Sequence, residues 1–201
     1  MTAERQTSVV WFTGVPGAGK STIASLVLLE LRRQGVPACL LDGDELRQGL
    51  SCDLGFSDAD RSEQVRRVAH VARLMADVGL VVLVALVSPF VRDRAAARDL
   101  LGDLELLEVF VDVPLEIACE RDPKGLYRRA RQGELANFTG LDSPYEAPEA
   151  PDVHLRTDTL TPDEAASRVL SALSIRAANY AVSPVKKTKG LRLRVFSKLR
   201  D

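Results

Sequence analysis

A three-layer α/β/α domain on a mostly parallel five-stranded sheet is the fold predicted by this 201-residue sequence. Three observations carry it. Strand-like and helical runs alternate along the chain. The strand-like runs are close to continuously apolar, as in sheets covered on both faces. The first strand also runs through a glycine-rich turn straight into a helix. Parallel neighbours need helical crossovers, so the alternation predicts helices on both faces and ligands at the carboxyl ends of the strands.

Each element has its own signal. Ser8–Thr13, Ser-Val-Val-Trp-Phe-Thr, is a β-branched and aromatic run that predicts a buried strand. The next helical pattern covers residues 20–34. A second strand follows at Ala38–Leu41, then a helix over 59–77. Leu80–Val87, the longest apolar run, predicts the third strand, with a helix over 91–101 behind it. Leu106–Asp112 is the fourth strand and Val153–Arg156 a weaker fifth, leading to a last helix over 162–174. Residues 1–180 are expected to form the domain and residues 181–201 a basic tail. Residues 186–201 hold seven Lys or Arg against one Asp, whereas the whole chain carries a net charge of −1. The Leu191–Val195 alternation in that tail matches an edge strand, and the tail is assigned no function.

Composition narrows the function. Hydrophobic residues make up 46% and charged residues 27%, ordinary for a soluble globular chain, and no apolar run reaches the ~18 residues of a membrane span. The first six residues lack a secretory pattern, so a cytoplasmic location is expected. Cys39, Cys52 and Cys119 are odd in number and widely spaced, which argues against a disulfide, a metal site or a nucleophile.

Gly14-Val15-Pro16-Gly17-Ala18-Gly19-Lys20-Ser21 matches the phosphate-cradling pattern G-x-x-x-x-G-K-[ST] between strand and helix. Glycines let the backbone curl around an anion, aiming N–H groups and the positive helix end at a triphosphate. Lys20 is expected to reach the β- and γ-phosphates, and the Ser21 hydroxyl to ligate Mg²⁺. The second strand ends in Leu41-Asp42-Gly43-Asp44-Glu45-Leu46-Arg47, two carboxylates and an arginine one loop from the expected γ-phosphate. The third strand ends without an acid, in Ser88-Pro89-Phe90, so the Asp42/Asp44 pair must supply one. Asp44 is taken as the acid that orients a phosphoryl acceptor, although N-capping would also explain an Asp here.

Asp53-Leu54-Gly55-Phe56-Ser57 then presents an aromatic in a glycine-containing loop, followed by Arg61, Gln64 and Arg66. Arg47, Arg61 and Arg66 could converge on a phosphate or sulfate, with Phe56 stacking on a base; a solvated helix face is the competing reading. Cys119–Arg131 is strongly basic and broken by Pro123 and Gly125, the pattern of a mobile basic lid. Asn137–Pro151 is a proline-punctuated loop too long for a mere connector.

These motifs, in this order over about residues 8–174, resemble the adenylylsulfate kinase family, P-loop kinases that phosphorylate the 3′-hydroxyl of adenosine 5′-phosphosulfate (APS). The most specific matches are Arg121-Asp122-Pro123-Lys124-Gly125-Leu126-Tyr127 and Asn137-Phe138-Thr139-Gly140-Leu141-Asp142-Ser143-Pro144-Tyr145-Glu146-Ala147-Pro148. The resemblance implies ATP and Mg²⁺ as cofactors. It puts Gly14, Gly17, Ala18, Gly19, Lys20, Ser21, Thr22 and Arg121 on ATP, Asp44 and Lys20 in catalysis, and Ser21 with Asp44 at the metal. Asp42, Asp44, Arg47, Phe56, Arg61, Gln64, Ser88, Pro89, Lys124, Leu126 and Phe138 would line the APS site. Within that set Arg47 and Arg61 would hold the phosphosulfate, and Phe56 and Phe138 would sandwich the adenine.

The resemblance further implies a homodimer, with no nucleic-acid partner expected. Departures fall near the acceptor: Gln64 in place of the family's usual Asn, Gln48 of a frequent His, and Glu45 of the common Asn. Pro16 stands where Ser is usual. A related P-loop kinase acting on another small hydroxyl compound or a nucleotide is the alternative. A regulatory nucleotide binder without catalysis is disfavoured, because Lys20, Ser21 and Asp44 occur together.

Overall fold

The computed structural model describes residues 7–135 and 137–173. They form five strands, β1 (Thr7–Thr13), β2 (Ala38–Asp42), β3 (Val81–Ala85), β4 (Glu105–Asp112) and β5 (Val153–Arg156). All pair in parallel, in the order β2-β3-β1-β4-β5. Six helices connect them and a seventh follows β5: α1 (Lys20–Arg33), α2 (Gly43–Leu46), α3 (Asp58–Asp77), α4 (Val91–Leu101), α5 (Leu115–Arg121), α6 (Leu126–Arg131) and, last, α7 (Pro162–Ala172).

Alternating side chains of β1 divide the core. Val10 and Phe12 join the layer carrying α1 and α7, while Val9 and Trp11 join the layer carrying α3 and α4. Trp11 and Phe12 are almost fully buried, and truncating either to Ala would cost about 3–5 kcal/mol. β3 is buried along its whole length, as a central strand covered on both faces must be.

Local chemistry sets the boundaries. The third strand is shorter than its apolar run predicts, because Leu86 still donates to Phe12 O but Ser88 turns into the left-handed region at φ 37°. The Ser57 hydroxyl caps α3 by accepting from Asp60 N at 3.2 Å, and Thr161 and Glu164 form a capping box on α7. The segment expected as a lid consists of α5 and α6. Asp122, at φ 21°, separates them, and its carboxylate accepts from Tyr127 N and Arg128 N at 3.1 and 3.0 Å. This segment is fastened rather than free: Tyr127 is buried and its hydroxyl donates to Pro16 O at 2.8 Å. The basic C-terminal segment lies outside the described residues.

Candidate active site

With β1 at the centre of the sheet, the loop from Gly14 to Gly19 emerges at the middle of its carboxyl edge, flanked by the ends of β3 and β4. Glycine is required where that loop touches its neighbours. Gly14 has φ 152°, and a Cβ there would lie 2.3 Å from Val111 O. Gly17, at φ 75°, leaves 3.2 Å to Ala118 O. The loop is therefore pressed against β4 and α5. Lys20, 9% exposed, folds back under it and donates to the carbonyls of Gly14 and Val15 at 2.8 Å each. Burial pulls its ammonium down to about 7, against the opposing pull of the Asp44 and Asp42 charges.

A cavity of about 820 Å³ runs from this loop across the sheet edge, and every predicted site residue except Gly14 lines it. Asp42 caps α2, accepting from Asp44 N at 2.9 Å, and its other oxygen accepts from Ser21 Oγ at 2.5 Å. Asp44 faces elsewhere: its carboxylate pairs with Lys124 of the α5–α6 segment, both side chains largely exposed. The structure thus puts Asp42, not Asp44, beside Ser21, because the cap geometry turns Asp42 inward and leaves Asp44 in the first helical turn.

On the β2 side, Arg47 and Arg61 make no ion pair with a carboxylate of the described residues. Arg47 donates to Leu54 O and Gly55 O at 3.2 and 2.7 Å, and Arg61 to Phe56 O and Asn137 O at 3.1 and 2.8 Å. Desolvation and then the neighbouring Arg47 charge push the Arg61 guanidinium below its usual pKa. Two half-desolvated cations held only by carbonyls make a site that an anion would neutralise. Arg66 is not part of it, since it pairs with Glu63 on the outside of α3.

Phe56 is half exposed, with the guanidinium carbons of Arg47 and Arg61 at 4.4 and 5.6 Å from its ring centre. Phe138 is buried edge-on against Tyr127, with ring centres 4.9 Å apart. Gln64 is buried and donates from Nε2 to Gly43 O at 3.2 Å, so the amide ties α3 to the turn carrying Asp44.

At the other end of the cavity, Arg121 donates to Thr157 Oγ1 at 3.1 Å, and that hydroxyl donates to Ala18 O at 3.0 Å. Thr157, Leu160, Pro162 and Ala165 complete this wall. Sequence reasoning missed them because small neutral residues after a weak strand carry no motif; the rule that ligands gather at carboxyl strand ends was the available signal.

The sequence matches the family described as adenylylsulphate kinase over residues 6–156. It is 52% identical over 168 residues to the adenylyl-sulfate kinase of Aeromonas hydrophila subsp. hydrophila, covering 84% of this chain and 85% of that one. A bifunctional enzyme NodQ from a Rhizobium species is 59% identical over 150 residues, 75% of this chain but 23% of the relative. The chain thus spans about a quarter of the length of its bifunctional relatives, 27% in the case of a Xylella fastidiosa CysN/CysC enzyme. Among solved structures, the Mycobacterium tuberculosis APS kinase CysC in complex with AMPPNP and APS superposes with a TM-score of 0.82 at 49% identity, over 85% of this chain and 99% of that one.

Proposed function

Because the chain belongs to the adenylylsulphate kinase family, we propose that it transfers the γ-phosphoryl group of ATP to the 3′-hydroxyl of adenosine 5′-phosphosulfate, giving 3′-phosphoadenosine 5′-phosphosulfate (PAPS) and ADP. One observation carries the reading. A single cavity joins the phosphate loop and Lys20 to a slot holding Asp44, Phe56 and two arginines that, among the described residues, bond to carbonyls and pair with no carboxylate. Relatives named adenylyl-sulfate kinase, and a structural neighbour bearing AMPPNP and APS, support both substrates.

In this reading the loop amides and the Lys20 ammonium bind the triphosphate, and Arg121 borders its nucleoside. Arg47 and Arg61 clamp the phosphosulfate, and the free face of Phe56 stacks on the base. The Asp44 carboxylate exchanges Lys124 for the 3′-hydroxyl, orients it and takes its proton. The new O3′–P bond forms as the bond from Pγ to the β,γ-bridging oxygen breaks. The Ser21 hydroxyl and Asp42 carboxylate form a compact pair of hard oxygen donors that fits Mg²⁺. When bound there, the ion would neutralise charge on the β- and γ-phosphates. A homodimer is part of the same proposal.

The test is a kinase assay with ATP, Mg²⁺ and a panel of acceptors. Product phosphorylated at the 3′ position of APS, found by mass spectrometry, is the expected result. Rejection of APS with turnover of another small hydroxyl compound would overturn it.

A further inference from the structure

One buried charge lies outside the cavity and still touches the segments that build its acceptor wall. Arg94 of α4 is 6% exposed. Its guanidinium donates to Ser88 O at 2.8 Å, to Glu146 O at 2.8 Å and to Glu108 Oε1 at 3.0 Å. Ser88 is among the few residues other than glycine with positive φ, at 37°, and it is followed by Pro89, which shares the cavity wall. A left-handed serine holds only where its surroundings over-determine it. Three side chains do so here: Arg94 on the carbonyl at 2.8 Å, Thr13, whose hydroxyl reaches the same carbonyl at 3.4 Å, and Trp11, whose Nε1 donates to Ser88 Oγ at 3.1 Å.

The same guanidinium reaches the loop that carries Phe138. Glu146 N donates to Pro89 O at 2.9 Å, and the Glu146 carboxylate accepts from Val91 N at 2.7 Å, closing the open start of α4. Tyr145 next to it shares a 2.9 Å hydrogen bond with Thr13, the last residue of β1 before the phosphate loop. Thr13 Oγ1 in turn donates to Val87 O at 2.8 Å. Removing the guanidinium would take its donor from the Glu146 carbonyl and leave Ser88 O and the Glu108 carboxylate to the longer 3.4 Å contacts of Thr13 Oγ1 and Arg98.

We propose that Arg94 is a positioning residue for the acceptor. It locks Ser88–Pro89 and the 137–146 loop in the arrangement that shapes the APS side of the cavity, while leaving the ATP side untouched. This inference rests on the kinase reading above for its substrate, but the wall it concerns can be read without any substrate. Trp11 is the sole tryptophan of the chain, so its indole N–H reports the Ser88 contact directly.

The experiment compares wild type with R94A and R94K. The expected result is a rise in KM for APS of at least tenfold, while kcat and the Kd of a non-hydrolysable ATP analogue stay within twofold. Solvent exchange of the Trp11 indole N–H, followed by NMR, should speed up at least tenfold. R94K should behave like R94A, because one ammonium cannot serve three acceptors held apart by a planar fork. Placing S88G in the R94A background should recover at least threefold in KM, since glycine adopts the left-handed conformation unaided. If R94A does not fold, E108Q is expected to give the same pattern in weaker form.

Equal weakening of ATP and APS, or an unchanged KM with unchanged indole exchange, would overturn the proposal. A wild-type enzyme that ignores APS would overturn the kinase reading instead, and the indole exchange would still decide the role of Arg94.

Discussion

At the scale of single residues the site is a set of charges held short of their natural partners. Among the described residues the Asp44 carboxylate is engaged by Lys124 alone, an exposed pair that the substrate hydroxyl of the proposed reaction would replace at little cost. Asp44→Asn should therefore keep the ATP affinity of the parent and lose about 10²–10⁴-fold in kcat, the usual contribution of a positioned proton acceptor; titration with an ATP analogue beside a turnover assay checks both halves. Lys20 sets a pH dependence. Burial holds it near 7 in the free protein, so above pH 7 the neutral amine prevails, and binding a triphosphate requires the proton to return. Calorimetry in buffers of different ionisation enthalpy should show close to one proton taken up per ATP at pH 8 and little at pH 6. Uptake that does not grow with pH would refute the assignment. Both residues were legible as candidates because Lys20 and Asp44 sit in short contiguous motifs. The partner choices were not: that Asp42 rather than Asp44 meets Ser21 depends on a helix cap, and that Arg94 reaches Ser88 and Glu146 depends on a fold-wide arrangement.

Elements were read to the degree that they announce themselves by periodicity. All five strands and the helices α1, α3, α4 and α7 follow the apolar patterning closely, because each buries a face against the sheet. The short helices α2, α5 and α6 were not separable in the sequence. Each is a turn or two long, and two of them are held by a side chain on backbone, Asp42 at α2 and Asp122 at the start of α6. The phosphate loop lies close against β4 at Gly14. Gly14→Ala would drive a methyl group into Val111 O and force a backbone that alanine resists, so a loss of at least about 2 kcal/mol in unfolding free energy is expected from denaturant titration. A variant as stable as the parent would show that the loop can back away from the strand.

For the molecule as a whole, the parallel sheet decides where chemistry can occur. Strand order β2-β3-β1-β4-β5 sends the acidic turn, the acceptor wall, the phosphate loop and the Thr157 turn out of the same edge. The order of the motifs predicted this edge; the wall contributed by the β5–α7 connection was hidden, since it emerges only when distant segments pack. Because the phosphate loop and the arginine slot open into one continuous cavity of about 820 Å³, the two substrates of the proposed reaction would be near neighbours rather than separate visitors. Two adenosines joined through a polyphosphate chain of fitting length should then occupy both ends at once. Once the first end is seated, the second is presented at an effective concentration in the millimolar range, so avidity of about 10²–10⁴ over either half is expected from equilibrium titration. Shortening the tether below the span should abolish that gain, which turns the length of the trough into a ruler for inhibitor design.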